Sequence, residues 1–166
     1  MKKAIFTIFL GLICLVATGQ NLRFQPTYVI DLRFELDDEF NTVMGESALS
    51  QTDAVITIDA DNDVIEVTSD KKNRYDNVGS FRIVGAKDPV QNEDGSIVLN
   101  FETVDKSGDS CELQLSIRGD GSFLLYIDAT YRDTVYSDLK KSDLESIIEK
   151  IWDLDDIYGN ILNLLR

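Results

Sequence analysis

The chain has no histidine and only two cysteines, two prolines, two methionines and one tryptophan among its 166 residues. Histidine is the commonest general base and the commonest imidazole ligand for zinc or copper. Its absence removes Ser-His and Cys-His nucleophile pairs together with histidine-built metal centres. Basic residues are scarce too, 16 Lys plus Arg against 30 Asp plus Glu, for a formal charge of −14. Such a balance repels phosphate backbones, and no basic stripe interrupts it, so no nucleic-acid partner is expected. With few prolines and ten glycines, collagen-like and low-complexity architectures are excluded as well. What is present is 43% apolar residues, enough for the core of one compact domain.

Lys2 and Lys3 precede an almost unbroken apolar run over residues 4–17, AIFTIFLGLICLVA, which ends in Ala17-Thr18-Gly19. A basic start, a short apolar middle and small residues at the cut have the layout of a secretory signal peptide. Residues 1–19 are expected to be removed ahead of Gln20. The 14-residue run is too short to span roughly 30 Å of hydrocarbon comfortably, so no stable membrane anchor is expected after cleavage. Ile13 stands before Cys14, where lipoprotein processing needs a small residue. The mature chain is expected to be exported, periplasmic or secreted. Loss of Lys2 and Lys3 takes the basic side chains from 16 to 14 against the same 30 acids, a net −16. Loss of Cys14 leaves Cys111 as its one thiol, so no internal disulfide can form in an oxidising space.

From Gln20 to about Thr134 apolar and polar residues alternate with period two, and from Ser142 onward the period is helical. Tyr28, Ile30, Leu32, Phe34 and Leu36 share one face of the first long strand, with Thr27, Val29, Asp31, Arg33 and Glu35 on the other. That pattern predicts one buried and one wet face. Residues 37–52 break the alternation and read as a loop with a short helical turn. A hairpin follows around Asp59–Asp63, then a short strand over 80–85. A meander of three strands runs over 96–104, 110–118 and 122–134, punctuated by Lys106-Ser107-Gly108-Asp109 and Gly119-Asp120-Gly121. Its expected inward residues are Ile97, Leu99 and Phe101, then Cys111, Leu113, Leu115 and Ile117, then Phe123, Leu125, Ile127 and Ala129. Toward the C-terminus Ser142 and Glu145 have capping-box spacing, and Leu144, Ile147, Ile148, Ile151 and Trp152 form an apolar stripe. Asp153, Asp155 and Asp156 suit a helix N-terminus better than a C-terminus, so the helical segment 142–165 is expected to break near Asp153. The second piece would carry Ile157, Ile161, Leu162, Leu164 and Leu165. The expected fold of residues 20–166 is a single domain, mainly β with C-terminal α. It is an antiparallel meander of about seven strands forming a small barrel or bent sheet, closed by a C-terminal helix pair.

Few residues suggest chemistry. Asp59, Asp61 and Asp63 have the spacing that opens a calcium loop. The position that needs glycine is Val64, however, and the twelfth is Asp70 where glutamate is required, so turn chemistry explains them and no cofactor is expected. Asp153, Asp155 and Asp156 are explained by helix capping. Cys111 lies in phase with Leu113, Leu115 and Ile117, which makes it a small core residue and not a nucleophile. Lys71, Lys72 and Arg74 form a solvated loop. Acids are abundant enough for accidental pairs, and none is marked as catalytic. Tyr28, Phe34, Phe81, Phe101, Phe123, Tyr126, Tyr131 and Tyr136 either fill the core or line a cavity for an apolar ligand.

The stretch Val55–Val78, VITIDADNDVIEVTSDKKNRYDNV, with the later strand Leu124–Tyr131, LLYIDATY, resembles small exported β-rich proteins of gut bacteria. In that group a strand, an Asp-Asn turn, a second strand and a Tyr-Asp connection recur ahead of meander strands. The resemblance implies a fold and an exported location, and it brings no activity with it. The architecture is similar to that of lipocalin-like barrels, which hold a ligand inside a strand meander and end in a helix, although the lipocalin Gly-x-Trp signature is missing. The function expected is therefore non-catalytic binding of a partner protein or a small apolar molecule. The alternatives are a carboxylate-dependent hydrolase and an inhibitor or immunity-type protein whose acidic surface meets a basic partner.

Overall fold

The computed structural model describes residues 21–39, 41–71, 73–129, 132–154, 157 and 160–165. The expected leader with Cys14, and Lys72, Tyr131, Asp155 and Asp156, lie outside the described residues. The strands are β1 (Leu22–Phe24), β2 (Tyr28–Leu36), β3 (Thr42–Gln51), β4 (Val55–Asp59), β5 (Val64–Thr68), β6 (Gly79–Ala86), β7 (Val90–Gln91), β8 (Ile97–Val104), β9 (Ser110–Ile117), β10 (Phe123–Asp128) and β11 (Asp133–Ser137). Helix α1 (Lys141–Trp152) follows, and then a single helical turn, Ile161–Leu164. No helix among the described residues is long and apolar enough to cross a membrane.

Every strand pairing is antiparallel, as the short connections require. The order is β1-β4-β5-β6-β8-β9-β10-β11-β2-β3, with β7 on β8. Its ends explain its shape. Strand β1 runs on into β2 through Gln25-Pro26-Thr27, and β3 into β4 through Thr52-Asp53-Ala54. These strands thus form one long ribbon, kinked where Pro26 has no N–H to donate. Across the kink the Thr52 N–H donates to the Thr27 carbonyl at 3.1 Å, and the Thr27 N–H to Ser137 at 2.9 Å. One half of the ribbon docks on β5 and the other on β11. The ribbon thereby ties both ends of the sheet together, and the sheet curls into a half-barrel.

The curl creates two cores. Inside it lie Val29, Ala54, Ile56, Ile65, Phe81, Leu113, Leu115, Leu125, Ile127 and Tyr136, all at most 3% exposed. Outside, Ile30, Leu32, Leu124, Tyr126 and Val135 pack under Leu144, Ile147 and Ile151 of α1 and under Ile157, Ile161 and Leu165. Strands β2, β10 and β11 are therefore covered on both faces.

Four expectations are corrected here. Among the described residues the sheet has eleven strands, not seven, because β1 and β7 are too short for a periodicity to mark, β3 occupies the stretch expected as a loop, and the single strand expected over 122–134 is two, β10 and β11. On the face of β2 expected to be wet, Thr27, Arg33 and Glu35 are exposed, but Val29 at 0% and Asp31 at 3% exposure are buried where the sheet curls over them, and Leu36 of the face expected to be buried is 65% exposed. The helix pair is one 12-residue helix and a single turn. The Ser142–Glu145 spacing makes no cap: α1 starts at Lys141 with no side-chain cap bond, which places Ser142 inside the first turn, and Glu145 pairs instead with Lys141 at 3.2 Å. The break near Asp153 stands, with α1 ending at Trp152.

Candidate functional site

The meander brings four acids from different strands into one row on its outer face. Register places Glu102 of β8 opposite Glu112 of β9, and Glu112 opposite Asp128 of β10. The Asp128 carboxyl then hydrogen-bonds to that of Asp133, the first residue of β11. Cross-strand neighbours have Cβ atoms about 4.5–5.5 Å apart, and like charges so placed repel. Among the described residues no ion pair engages any of the four. At its far end Glu102 lies across Gly85, where a Cβ would stand 2.8 Å from Glu102 Oε2. Val84, Glu102, Ser110, Glu112 and Asp128 line a shallow cleft of about 350 Å³.

The row is graded in burial. Glu102, Glu112 and Asp128 are exposed, whereas Asp133 is 6% exposed. Tyr126 donates its hydroxyl to Asp133 Oδ2. Burial, more than any neighbour, pushes the Asp133 carboxyl up to about 7, with Asp128 adding repulsion and the Tyr126 hydroxyl opposing the shift. Asp128 is also raised, first by desolvation and then by Glu112. Burial raises the Tyr126 phenol well beyond its ordinary range, and Asp133 adds to the effect.

On the inner face sits a second polar cluster. The Asp31 carboxylate, 4% exposed, accepts from Arg132 Nε and lies 3.5 Å from Arg33 Nε. Arg132 Nη2 donates to the Arg74 carbonyl at 2.8 Å. The 69–78 connection closes this end of the curl: Thr52 Oγ1 donates to Asp76 Oδ1 at 2.7 Å, and the Asn77 N–H to the Tyr136 hydroxyl at 2.7 Å.

The residues singled out from sequence lie elsewhere. Asp59 Oδ1 accepts from the N–H groups of Asp61 and Asn62, both at 3.1 Å, and Asp63 takes a left-handed φ of 52°. These are the acts of a β4–β5 turn, and among the described residues no acidic group is arranged to hold a metal. Arg74 stacks 4.7 Å over the Tyr75 ring. Cys111 is buried against the inner core, and desolvation, reinforced by Asp105, raises its thiol above the ordinary value. Native protein is therefore expected to alkylate at Cys111 at least about tenfold more slowly than urea-unfolded protein, as read by peptide mapping after a maleimide pulse. Equal rates would place the thiol at the surface.

The acidic row went unrecognised, yet a signal for it exists. A hairpin reflects positions about its turn. Reflection about Ser107 relates 102 to 112, and reflection about Asp120 relates 112 to 128, as the observed registers have it. Compared with protein-family models, curated proteins and solved structures, the chain matches none of them.

Proposed function

We propose that the protein is a non-catalytic binding module, exported from the cytoplasm, that meets a basic protein partner through the outer row of Glu102, Glu112 and Asp128. The observation that carries this reading is the row itself. Three exposed carboxylates in cross-strand register lie beside an exposed Val84, and although Lys87 lines a hollow with Glu102 and Glu112, no ion pair among the described residues engages them. Self-repulsion at such positions is a cost to the fold that a cationic partner relieves. The interior supports the same choice over an enclosed apolar ligand. The walls of a hollow would carry accessible surface, and the buried inner residues carry almost none, the partly exposed ones such as Leu22, Phe24 and Leu99 being packed against them.

The test is native mass spectrometry of protein purified from its own host. Expected is a basic partner in fixed stoichiometry whose retention falls as salt rises. The triple variant E102Q/E112Q/D128N should weaken it by about 3- to 150-fold, since each exposed charge contributes on the order of 0.2–1 kcal/mol. A co-purified lipid, or a partner held equally well by the triple variant, overturns the reading.

A hydrolase reading has one observation in its favour, the raised Asp128 carboxyl beside Glu112 in a cleft, because paired acids held at different protonation states do acid–base work. Turnover of a polymeric glycan that is abolished by D128N and by E112Q, with the fold retained, would establish it.

A further inference from the structure

Asp133 is a buried carboxyl that no ion pair among the described residues balances. Tyr126 and Asp128 face it from β10, with Glu112 of β9 behind Asp128. Leu32 of β2 stands directly opposite. Helix α1 buries Leu144, Ile147 and Ile151 in this layer, and the tail buries Ile157, Ile161 and Leu165. Arg132, its chain neighbour, is engaged on the other face by Asp31 and the Arg74 carbonyl. Among the described residues, then, no cation faces the group from any element packed on it. Protonated, Asp133 fits: it accepts from Tyr126 and shares a hydrogen bond with Asp128. Ionised, it keeps the Tyr126 hydroxyl and the Ala129 N–H as donors but is a desolvated anion beside two more carboxylates, and burying such a charge without a cation is expensive.

The cheapest relief is set by position. Asp133 is the first residue of β11, and its pairing with Leu32 is the last of the β11–β2 ladder. Opening one terminal pair lets the carboxylate reach water while Thr134, Val135 and Tyr136 stay in the ladder. Lifting α1 would expose all of the outer core.

We propose that the start of β11 is a pH-operated latch, paired to β2 and closed on Tyr126 while Asp133 holds its proton, and unzipped from Leu32 once the proton is lost. The latch is local, leaving β4, β5 and α1 in place. It gives this end of the half-barrel two shapes and couples the acidic outer row to the acidity of the surroundings.

Hydrogen exchange corrected for intrinsic rates tests it. Between about pH 5.5 and about pH 8.5, amide protection at Asp133 is expected to fall about tenfold or more, while that of Val135, Tyr136, β4 and β5 holds. D133N should abolish the fall. D128N should move its midpoint to lower pH by removing a like charge, and Y126F should move it higher by removing a donor to the anion. Those opposite shifts would not follow from loosened packing alone. Protection that is unchanged with pH, that falls equally in β4 and β5, or that still falls in D133N overturns the latch.

Discussion

Asp133→Asn is expected to stabilise the protein at pH 8 by between about 1 and about 4 kcal/mol, and to leave it unchanged near pH 4. The carboxyl is pushed up to about 7 in the folded state, burial being the largest cause, whereas an unfolded aspartate titrates near ~3.9. Below pH 4 both states hold the proton and the group makes no difference. As pH rises from about 4 toward about 7 the unfolded chain releases a proton that the folded chain retains, so folding stability falls across that window. Above it both states are ionised and the deficit is constant. At about 1.4 kcal/mol per pH unit, the deficit is on the order of 4 kcal/mol. Local opening of β11 shrinks it to the cost of that opening. Asparagine keeps an oxygen for the Tyr126 hydroxyl, turns an amide donor toward Asp128, and never ionises. Asp59, Asp94 and Asp120, whose carboxyls are held below their ordinary values mainly by hydrogen bonds, titrate alike in both proteins and cancel in the difference. Urea unfolding of the two proteins at pH 4, 6 and 8 reads that difference directly. A gap that stays constant across those pH values would show that Asp133 acts by packing and not by charge.

The parts of this fold that are plain in the sequence are the inward faces of the meander strands. Leu99 and Phe101 of β8, Cys111, Leu113, Leu115 and Ile117 of β9, and Phe123, Leu125 and Ile127 of β10 do line the interior, because glycine-bearing turns fix the hairpins and alternation fixes the face. Strand β3 was hidden because TVMGESALSQ is an edge strand with a bulge. Arg33 pairs with Glu46 and Phe34 with Met44, leaving Gly45 unmatched, so the alternation slips by one residue halfway along. Its ends are sealed by other elements: the Ile157 N–H donates to the Thr42 carbonyl at 2.7 Å, and the Asn73 side chain to the Gln51 carbonyl at 2.9 Å. Neither seal leaves a local pattern.

Burial on both faces was also beyond local reading. Alternation in β2 implies one wet face, but a sheet that curls over itself encloses Val29 and Asp31 of that face, and the curl follows from the ribbon's two long-range dockings. Cys111 was legible because phase alone decides it. The carboxylates of the outer row were each legible only as solvated acids of their own strand. Their meaning lies in register, since Glu102 and Asp128 are 26 residues apart in sequence and become neighbours of the same Glu112.

Register also explains the second large effect. Arg132→Met is expected to destabilise the protein by about 3–5 kcal/mol, because it strands a buried carboxylate. Asp31 and Arg132 are separated by 101 residues and meet only because β11 docks on β2. Arg132 gives Nε to Asp31 and Nη2 to the Arg74 carbonyl, so it anchors the 69–78 connection as well as the charge. Arg33 cannot replace it. Its side chain is 56% exposed, stands 3.5 Å from Asp31, and is already shared with Glu46 at 3.2 Å. If the cost arises from an unpaired charge, removing the charge recovers it. The double variant D31V/R132M should therefore lie closer to wild type than R132M alone, since apolar replacement of a buried pair is often neutral. Urea unfolding at pH 7 of the wild type, both single variants and the double closes the cycle. A loss below about 1 kcal/mol in R132M would place the pair with ordinary surface bridges. A double variant as weak as R132M would instead assign the loss to the Arg74 anchor. The unfolding slope guards the comparison, because it scales with the surface exposed and should be the same in all four proteins.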